Sequence, residues 1–163
     1  MVNFSVIVPT IGRPCLPRLL DSIAGQEMID GDEVIVIADT LDGAQPETER
    51  IVKSYGYQYE EFAGQVHCWG MPQRNYALGL IKPGNFYVGN DDTDFFLPDV
   101  FSLMREKMND APNEPHIFGF IATWGIVPGY PIQEGSIGGH NFIPPIIPGH
   151  IGKWGMRYQG DYD

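Results

Sequence analysis

The chain has 163 residues, the size of one domain, and 43% of them are hydrophobic, enough to bury a real core. Ten Lys and Arg face 21 Asp and Glu, a formal charge of -11, which argues against non-specific binding to nucleic acid or anionic membrane, because both need clustered cations. No apolar run is long enough to span a bilayer, no basic-then-apolar leader opens the chain, and Cys15 and Cys68 without a CxxC supply neither a disulfide framework nor a structural zinc site, so a cytoplasmic setting is the expectation.

Apolar runs alternate with helical patterns through the first half, the signature of βα units and a mostly parallel sheet. Phe4 to Val8 (FSVIV) reads as a strand stopped by Pro9. Leu16, Leu19, Leu20 and Ile23 then fall at the spacing of one helical face. Glu33 to Ala38 (EVIVIA) is nearly all β-branched and apolar, as in a strand covered on both faces, and ends at Asp39. Pro46 opens a helix carrying Ile51, Val52 and Tyr55, with Glu47 and Glu49 where the dipole favours acids. A third strand is expected over 57–62, a short helix over 72–80 and a fourth strand over 86–88. Pro98-Asp99 starts another helix, whose expected stripe is Val100, Leu103, Met104 and Lys107. Beyond Ala111 the texture changes, since residues 111 to 152 hold seven Pro, eight Gly and no Lys or Arg. One strand over His116 to Ala122 (HIFGFIA) is expected there, followed by packed loops that roof a site, because so many large apolar side chains would not stay solvated. The reading is a single domain, 1–163, with a nucleotide-binding half (1–105) and an acceptor-side half (106–163).

The most informative segment is FYVGNDDTDFFLPD, residues 86–99, in which an apolar strand runs into Asp91, Asp92 and Asp94. Carboxylates crowded at a strand's carboxyl end repel one another unless they share a cation, and that end is where open α/β sheets bind ligands. Oxygen donors without soft partners suit Mg2+ or Mn2+. The bland alternative is a solvated acidic turn with Asp99 as a helix N-terminal acid.

Three blocks then resemble the family 2 glycosyltransferases. SVIVPTIGRPCLPRLLDSIAGQ is similar to that family's opening strand, Pro-Thr turn and Arg-containing loop, and EVIVIADT to its second strand ending in Asp. QRNYALGLIKPGNFYVGNDDTDFFLPD resembles its Arg-Asn helix, strand, acidic metal motif and downstream Pro-Asp. The blocks stand in the family's order and cover residues 4 to 105, about two-thirds of the chain. The resemblance implies a GT-A fold, a Rossmann-like sheet flanked by helices. It implies a metal-dependent transferase moving a sugar from a nucleotide-diphosphate donor to an acceptor hydroxyl, with inversion, using Mn2+ or Mg2+. Such a cation would balance a diphosphate's charge in an acidic protein and stabilise it as it leaves.

Residue by residue, the resemblance implies that Pro9, Thr10 and the loop's Arg13 line the nucleotide pocket and that Asp39 accepts hydrogen bonds from base or ribose. Arg74 would lie near the nucleotide or the acidic turn, with Asn75 orienting that loop, although Arg74 also fits a surface cation paired with Glu60 or Glu61. Asp92 would be the principal metal contact, Asp94 its partner, and Asp91 would face the ribose; because Asn90 replaces an acid, the motif aligns as either NDD or DTD. For the base that deprotonates the acceptor, Asp161 in GDYD is the first choice, with Asp163 and Glu134 as alternatives. A late histidine can join the metal, which singles out His140 ahead of His150. Trp69 fits the core better than a substrate platform, and Trp124 and Trp154 fit packing better than sugar stacking. The family's catalytic domains usually continue past the equivalent of Asp163, so a minimal form, further chain or a second subunit (a homo-oligomer) would complete the acceptor site. The alternatives in function are a catalytically silent nucleotide-sugar or glycan-binding domain and a sugar nucleotidyltransferase, which wants a more basic, Gly-rich loop than TIGRPCLPR. The acceptor itself, whether glycan, lipid or protein, is not legible.

Overall fold

The computed structural model describes residues 1–41, 46–63, 68–133, 137–149 and 152–153. Four parallel strands, β1 (Phe4–Thr10), β2 (Glu33–Asp39), β3 (Gln58–Phe62) and β4 (Phe86–Gly89), form the central sheet in the order β3-β2-β1-β4. Helices α1 (Leu16–Ala24), α2 (Glu47–Ser54), α3 (Met71–Ala77) and α4 (Val100–Met108) connect and follow them. The chain steps outward from β1 to β3 and then returns to the far side of β1. The reversal puts a crevice between the carboxyl ends of β1 and β4, the place where open α/β sheets take ligands.

Strand alternation builds two apolar layers. Phe4, Val6, Val8, Val34 and Val36 face Leu16, Leu19, Leu20 and Ile23 of α1, Val52 of α2 and Phe101, Met104 and Met108 of α4. Ile7, Ile35, Ile37 and Tyr87 face the other way, onto Ala77 and Ile81. Both faces of the sheet are therefore covered, as the continuous apolar runs of the first two strands require.

Four details depart from the sequence expectations. β1 continues through Pro9 to Thr10, with Pro9 opposite Ile37 on β2. The Ile7 carbonyl accepts from the Asn90 amide on the β4 side, so the missing N–H of Pro9, two residues on, points where β4 has already ended and no bond is lost. The inward stripe of α4 is Phe101, Met104, Arg105 and Met108, while Leu103 is 55% exposed. Arg105 turns inward because its guanidinium pairs with buried Asp32, donates to the carbonyls of Val2 and Glu27, and lies 4.7 Å above the Phe4 ring.

The single strand over 116–122 is instead two, β5 (His116–Ile117) and β6 (Phe120–Ala122). β5 pairs antiparallel with β8 (Phe142–Ile143), and β6 with β7 (Gly125–Val127). Nor are the loops here uniformly packed, since Ile121, Ile126 and Trp124 (81%) of the β6–β7 hairpin are exposed. Among the described residues no helix is long and apolar enough to cross a membrane.

Candidate active site

Strand ends deliver the site. β1 outruns β4 by carrying Pro9 and Thr10 beyond the last pairing with Gly89, and β2 ends at Asp39. β4 gives way to a turn in which the Asp94 amide donates to the Asp91 carbonyl at 3.0 Å. That turn sets the carboxylates of Asp91 and Asp94 side by side and sends Asp92 the other way.

Asp92 is 2% exposed, and both its oxygens are engaged: Oδ2 accepts from the Thr10 hydroxyl at 2.6 Å and Oδ1 from the Arg13 guanidinium at 2.7 Å. The Thr10 oxygen in turn accepts from the Gly12 amide at 2.9 Å. Asp92 thus pins the end of β1 and the following loop to the β4 turn. The sequence expectation made it the principal metal contact; here its oxygens hold Thr10 and Arg13, and it stands apart from the group that gathers nearby.

Asp91, Asp94 and His140 converge instead, with ligand atoms within 4.8 Å of one another. His140 Nε2 is 3.3 Å from Asp91 Oδ2 and 3.2 Å from Asp94 Oδ2, yet it is buried without a properly directed hydrogen bond. Two carboxylate oxygens and an imidazole nitrogen gathered this closely make a donor set that could hold a divalent cation, the carboxylates being the ligands that suit Mn2+ or Mg2+. Arg74, almost wholly buried on α3, donates to Asp91 Oδ1 at 2.5 Å and to the Trp69 carbonyl at 3.0 Å. Its pairing is therefore with the acidic turn rather than with Glu60 or Glu61. Burial opposes ionisation of Asp91, but the His140 contact and the Arg74 charge overcome it and hold the carboxyl well below the usual carboxylate range. Burial likewise opposes protonation of His140, and Asp91 and Asp94 override it, pushing the imidazole up to about 9.

His140 reaches the cluster from a turn held by buried Asn141, whose side chain accepts from the Gly138 amide at 3.0 Å and donates to the carbonyls of Phe118 and Val127 at 2.8 Å each. The Phe120 ring lies 5.7 Å from the imidazole. Among the described residues, the Gly/Pro-rich part reaches over the site through His140.

Beside the cluster opens a cavity of about 410 Å3 whose lining includes Pro9, Thr10, Arg13, Asp39, Cys68, Trp69, Gly70, Asp91 and Asp92. Asp91 belongs to both cavity and cluster. Asp39 accepts from the Leu41 amide at 2.9 Å and from the Gln73 side chain at 2.5 Å. Asn75 is half-buried on α3. Gly70 is packed so closely that a Cβ there would sit 2.8 Å from the Pro9 ring and 2.7 Å from Arg74 Nη1, which is why the chain needs glycine there. Trp69 departs from the core placement, being 57% exposed, and it holds a left-handed backbone (φ 47) that costs a bulky residue about 1–2 kcal/mol. Gln73 and Asn141 escaped the sequence reading; Gln73 stood next to Arg74, whereas nothing local marks Asn141. Glu134, His150, Trp154, Asp161 and Asp163 lie outside the described residues.

This architecture, an acidic turn at the switch point of a parallel α/β sheet, is a GT-A-type fold, and solved structures of that kind match it. S. aureus TarS, a GT-A family 2 glycosyltransferase, is 24% identical with a TM-score of 0.58, the match covering 71% of this chain and 21% of TarS. The TarS 1–349 structure in complex with UDP-GlcNAc is 23% identical (TM-score 0.57), covering 71% of this chain and 33% of that one. A 4-diphosphocytidyl-2C-methyl-D-erythritol synthase is 11% identical (TM-score 0.59), covering 90% of this chain and 76% of the synthase. The chain thus spans about one fifth of TarS and one third of its 1–349 portion. No protein-family model and no curated protein matches the sequence.

Proposed function

We propose that the chain is a metal-dependent glycosyltransferase that moves a sugar from a nucleotide-diphosphate donor to an acceptor hydroxyl with inversion. The observation that carries this reading is the convergence of Asp91, Asp94 and His140 at the edge of the cavity formed by Pro9, Thr10 and Asp39. A divalent cation held there, Mn2+ or Mg2+, supplies the positive charge that a departing diphosphate requires. The chain's own residues set the rest. Asp39 accepts from the base or ribose, Arg74 fixes the position of Asp91, and Asp92 locks Thr10 and Arg13 so that the cavity wall is preorganised. Asp161 serves as the base that takes the acceptor's proton. Similarity to TarS, solved with UDP-GlcNAc, supports a nucleotide-sugar donor.

Coverage of 76% of the synthase favours one second reading, a sugar nucleotidyltransferase. The pairing of Arg13 with Asp92 and of Arg74 with Asp91 weighs against it, because a triphosphate substrate calls for uncommitted cations. Thermal-shift and hydrolysis assays over a panel of nucleotide sugars, with and without Mn2+, test the proposal. Mn2+-dependent stabilisation with release of nucleoside diphosphate is expected. Formation of a nucleotide sugar from a nucleoside triphosphate would establish the second reading, and stabilisation without turnover towards any acceptor would leave a binding domain.

A further inference from the structure

Gln73 sits on α3 with only 1% of its surface exposed, a place where a long amide is seldom found. Its Nε2 donates to Asp39 Oδ2 at 2.5 Å, while its Oε1 is buried and has no hydrogen-bond partner among the described residues. A buried carbonyl left unpaired costs stability, so packing alone would favour an apolar side chain of the same length. What the amide does there is hold Asp39. Asp39 Oδ1 accepts from the Leu41 amide at 2.9 Å, so with Gln73 on Oδ2 both carboxylate oxygens are gripped and the plane of the group is set.

The next residue of the helix treats a second acid in the same way. Arg74 donates to Asp91 Oδ1 at 2.5 Å, and Asp39 and Asp91 both line the cavity. Successive helical residues point about 100° apart, so α3 reaches the end of β2 with one side chain and the turn after β4 with the next. The two grips differ in charge. A neutral amide orients a carboxylate without neutralising it, and a charged acceptor makes the stronger hydrogen bonds to N–H and O–H donors.

We infer that Gln73 is a positioning residue for nucleoside recognition: it sets the Asp39 carboxylate as the acceptor for the nucleoside's N–H or O–H groups and acts on the ligand only through Asp39. The inference rests on the nucleotide-donor reading of this cavity.

The test uses the full chain and calorimetry in the presence of Mn2+. UDP, CDP, GDP and ADP are titrated into the wild type, the tightest being the matching nucleoside diphosphate, and inorganic pyrophosphate is the ligand without a nucleoside. Gln73→Met keeps the length of the side chain and removes its donor. It should weaken the matching nucleoside diphosphate about tenfold and leave pyrophosphate unchanged. Asp39→Ala should weaken the same ligand at least as much, and adding Gln73→Met to it should change nothing further, because no carboxylate is left to position. Tm of Gln73→Met should stay within a few degrees of the wild type, since removing the orphaned carbonyl offsets the lost bond. Gln73→Leu is the second donor-free variant. Unchanged nucleotide affinity in Gln73→Met, or an equal loss for pyrophosphate, would overturn the inference and leave the donor reading standing. A further loss on adding Gln73→Met to Asp39→Ala would do the same, as would a large fall in Tm for both Gln73→Met and Gln73→Leu, which would make Gln73 a structural residue. Failure of all four nucleoside diphosphates, with or without Mn2+, to bind the folded wild type would defeat the donor reading and the inference with it.

Discussion

Asp92 gives both carboxylate oxygens to neighbours, the Thr10 hydroxyl and the Arg13 guanidinium, so neutralising it weakens two hydrogen bonds to a buried charge. Asp92→Asn should lower stability by about 1.5–3 kcal/mol, the worth of hydrogen bonds to a buried charge, and should keep Mn2+-dependent donor binding better than Asp91→Asn does. Denaturant melts and calorimetry on the two variants check this; the reverse order of Mn2+ affinities would restore Asp92 to the ligand set. His140 gives a second handle. Its folded value, about 9, lies above the ordinary 6.5, so its contribution to metal-free stability is complete below pH 6.5 and lost as pH rises through 9. Asp91 is shifted the other way and is already ionised throughout that window. Tm of the metal-free protein should therefore fall between pH 6.5 and 9.5, and the fall should flatten in His140→Gln; a parallel decline in both proteins would detach His140 from the acids. Spacing alone could not tell Asp91 from Asp92. The Asp91–Asp94 turn, which points them apart, is set by backbone hydrogen bonding that no residue pattern in DDTD announces.

Among the elements, the order of strands and helices over residues 4–108 was legible because apolar runs and helical stripes there obey their periods closely. One departure there comes from a polar residue that does an apolar residue's work. In α4, Arg105 occupies an inward position through its pairing with Asp32 and its seat over Phe4, whereas the stripe expected from spacing ran through Leu103 and Lys107. Phe101→Ala should cost about 3–5 kcal/mol, whereas Leu103→Ala should stay within about 0.5 kcal/mol. Chemical denaturation decides between the two stripes, since equal losses would restore the Leu103 face. The Gly/Pro-rich part was less legible. β5 and β8 pair across many intervening residues, and the roof over the acids hangs on Asn141 bonding two distant carbonyls. Such contacts follow from the tertiary fold and leave no periodicity in the chain.

At the scale of the whole molecule, a net charge of -11 and a crevice at the reversal of strand order act together. An acidic protein repels a diphosphate at long range, so metal-free binding of a nucleoside diphosphate should strengthen or hold steady as salt rises from about 20 to 200 mM, the opposite of a cationic site. Titrations at several ionic strengths read this out, and a steep loss of affinity with salt would reveal cationic recognition instead. The acidic composition, the crevice and the Asp-rich turn together make a cation the hinge of the account. The most direct measurement is calorimetric titration of Mn2+ and the matching nucleoside diphosphate, each in the absence and presence of the other. Coupled binding is predicted, each tightening the other by the same factor of about ten or more in the wild type, with the coupling lost in Asp94→Asn and His140→Ala. Equal nucleotide affinity with and without Mn2+ in the wild type would contradict it.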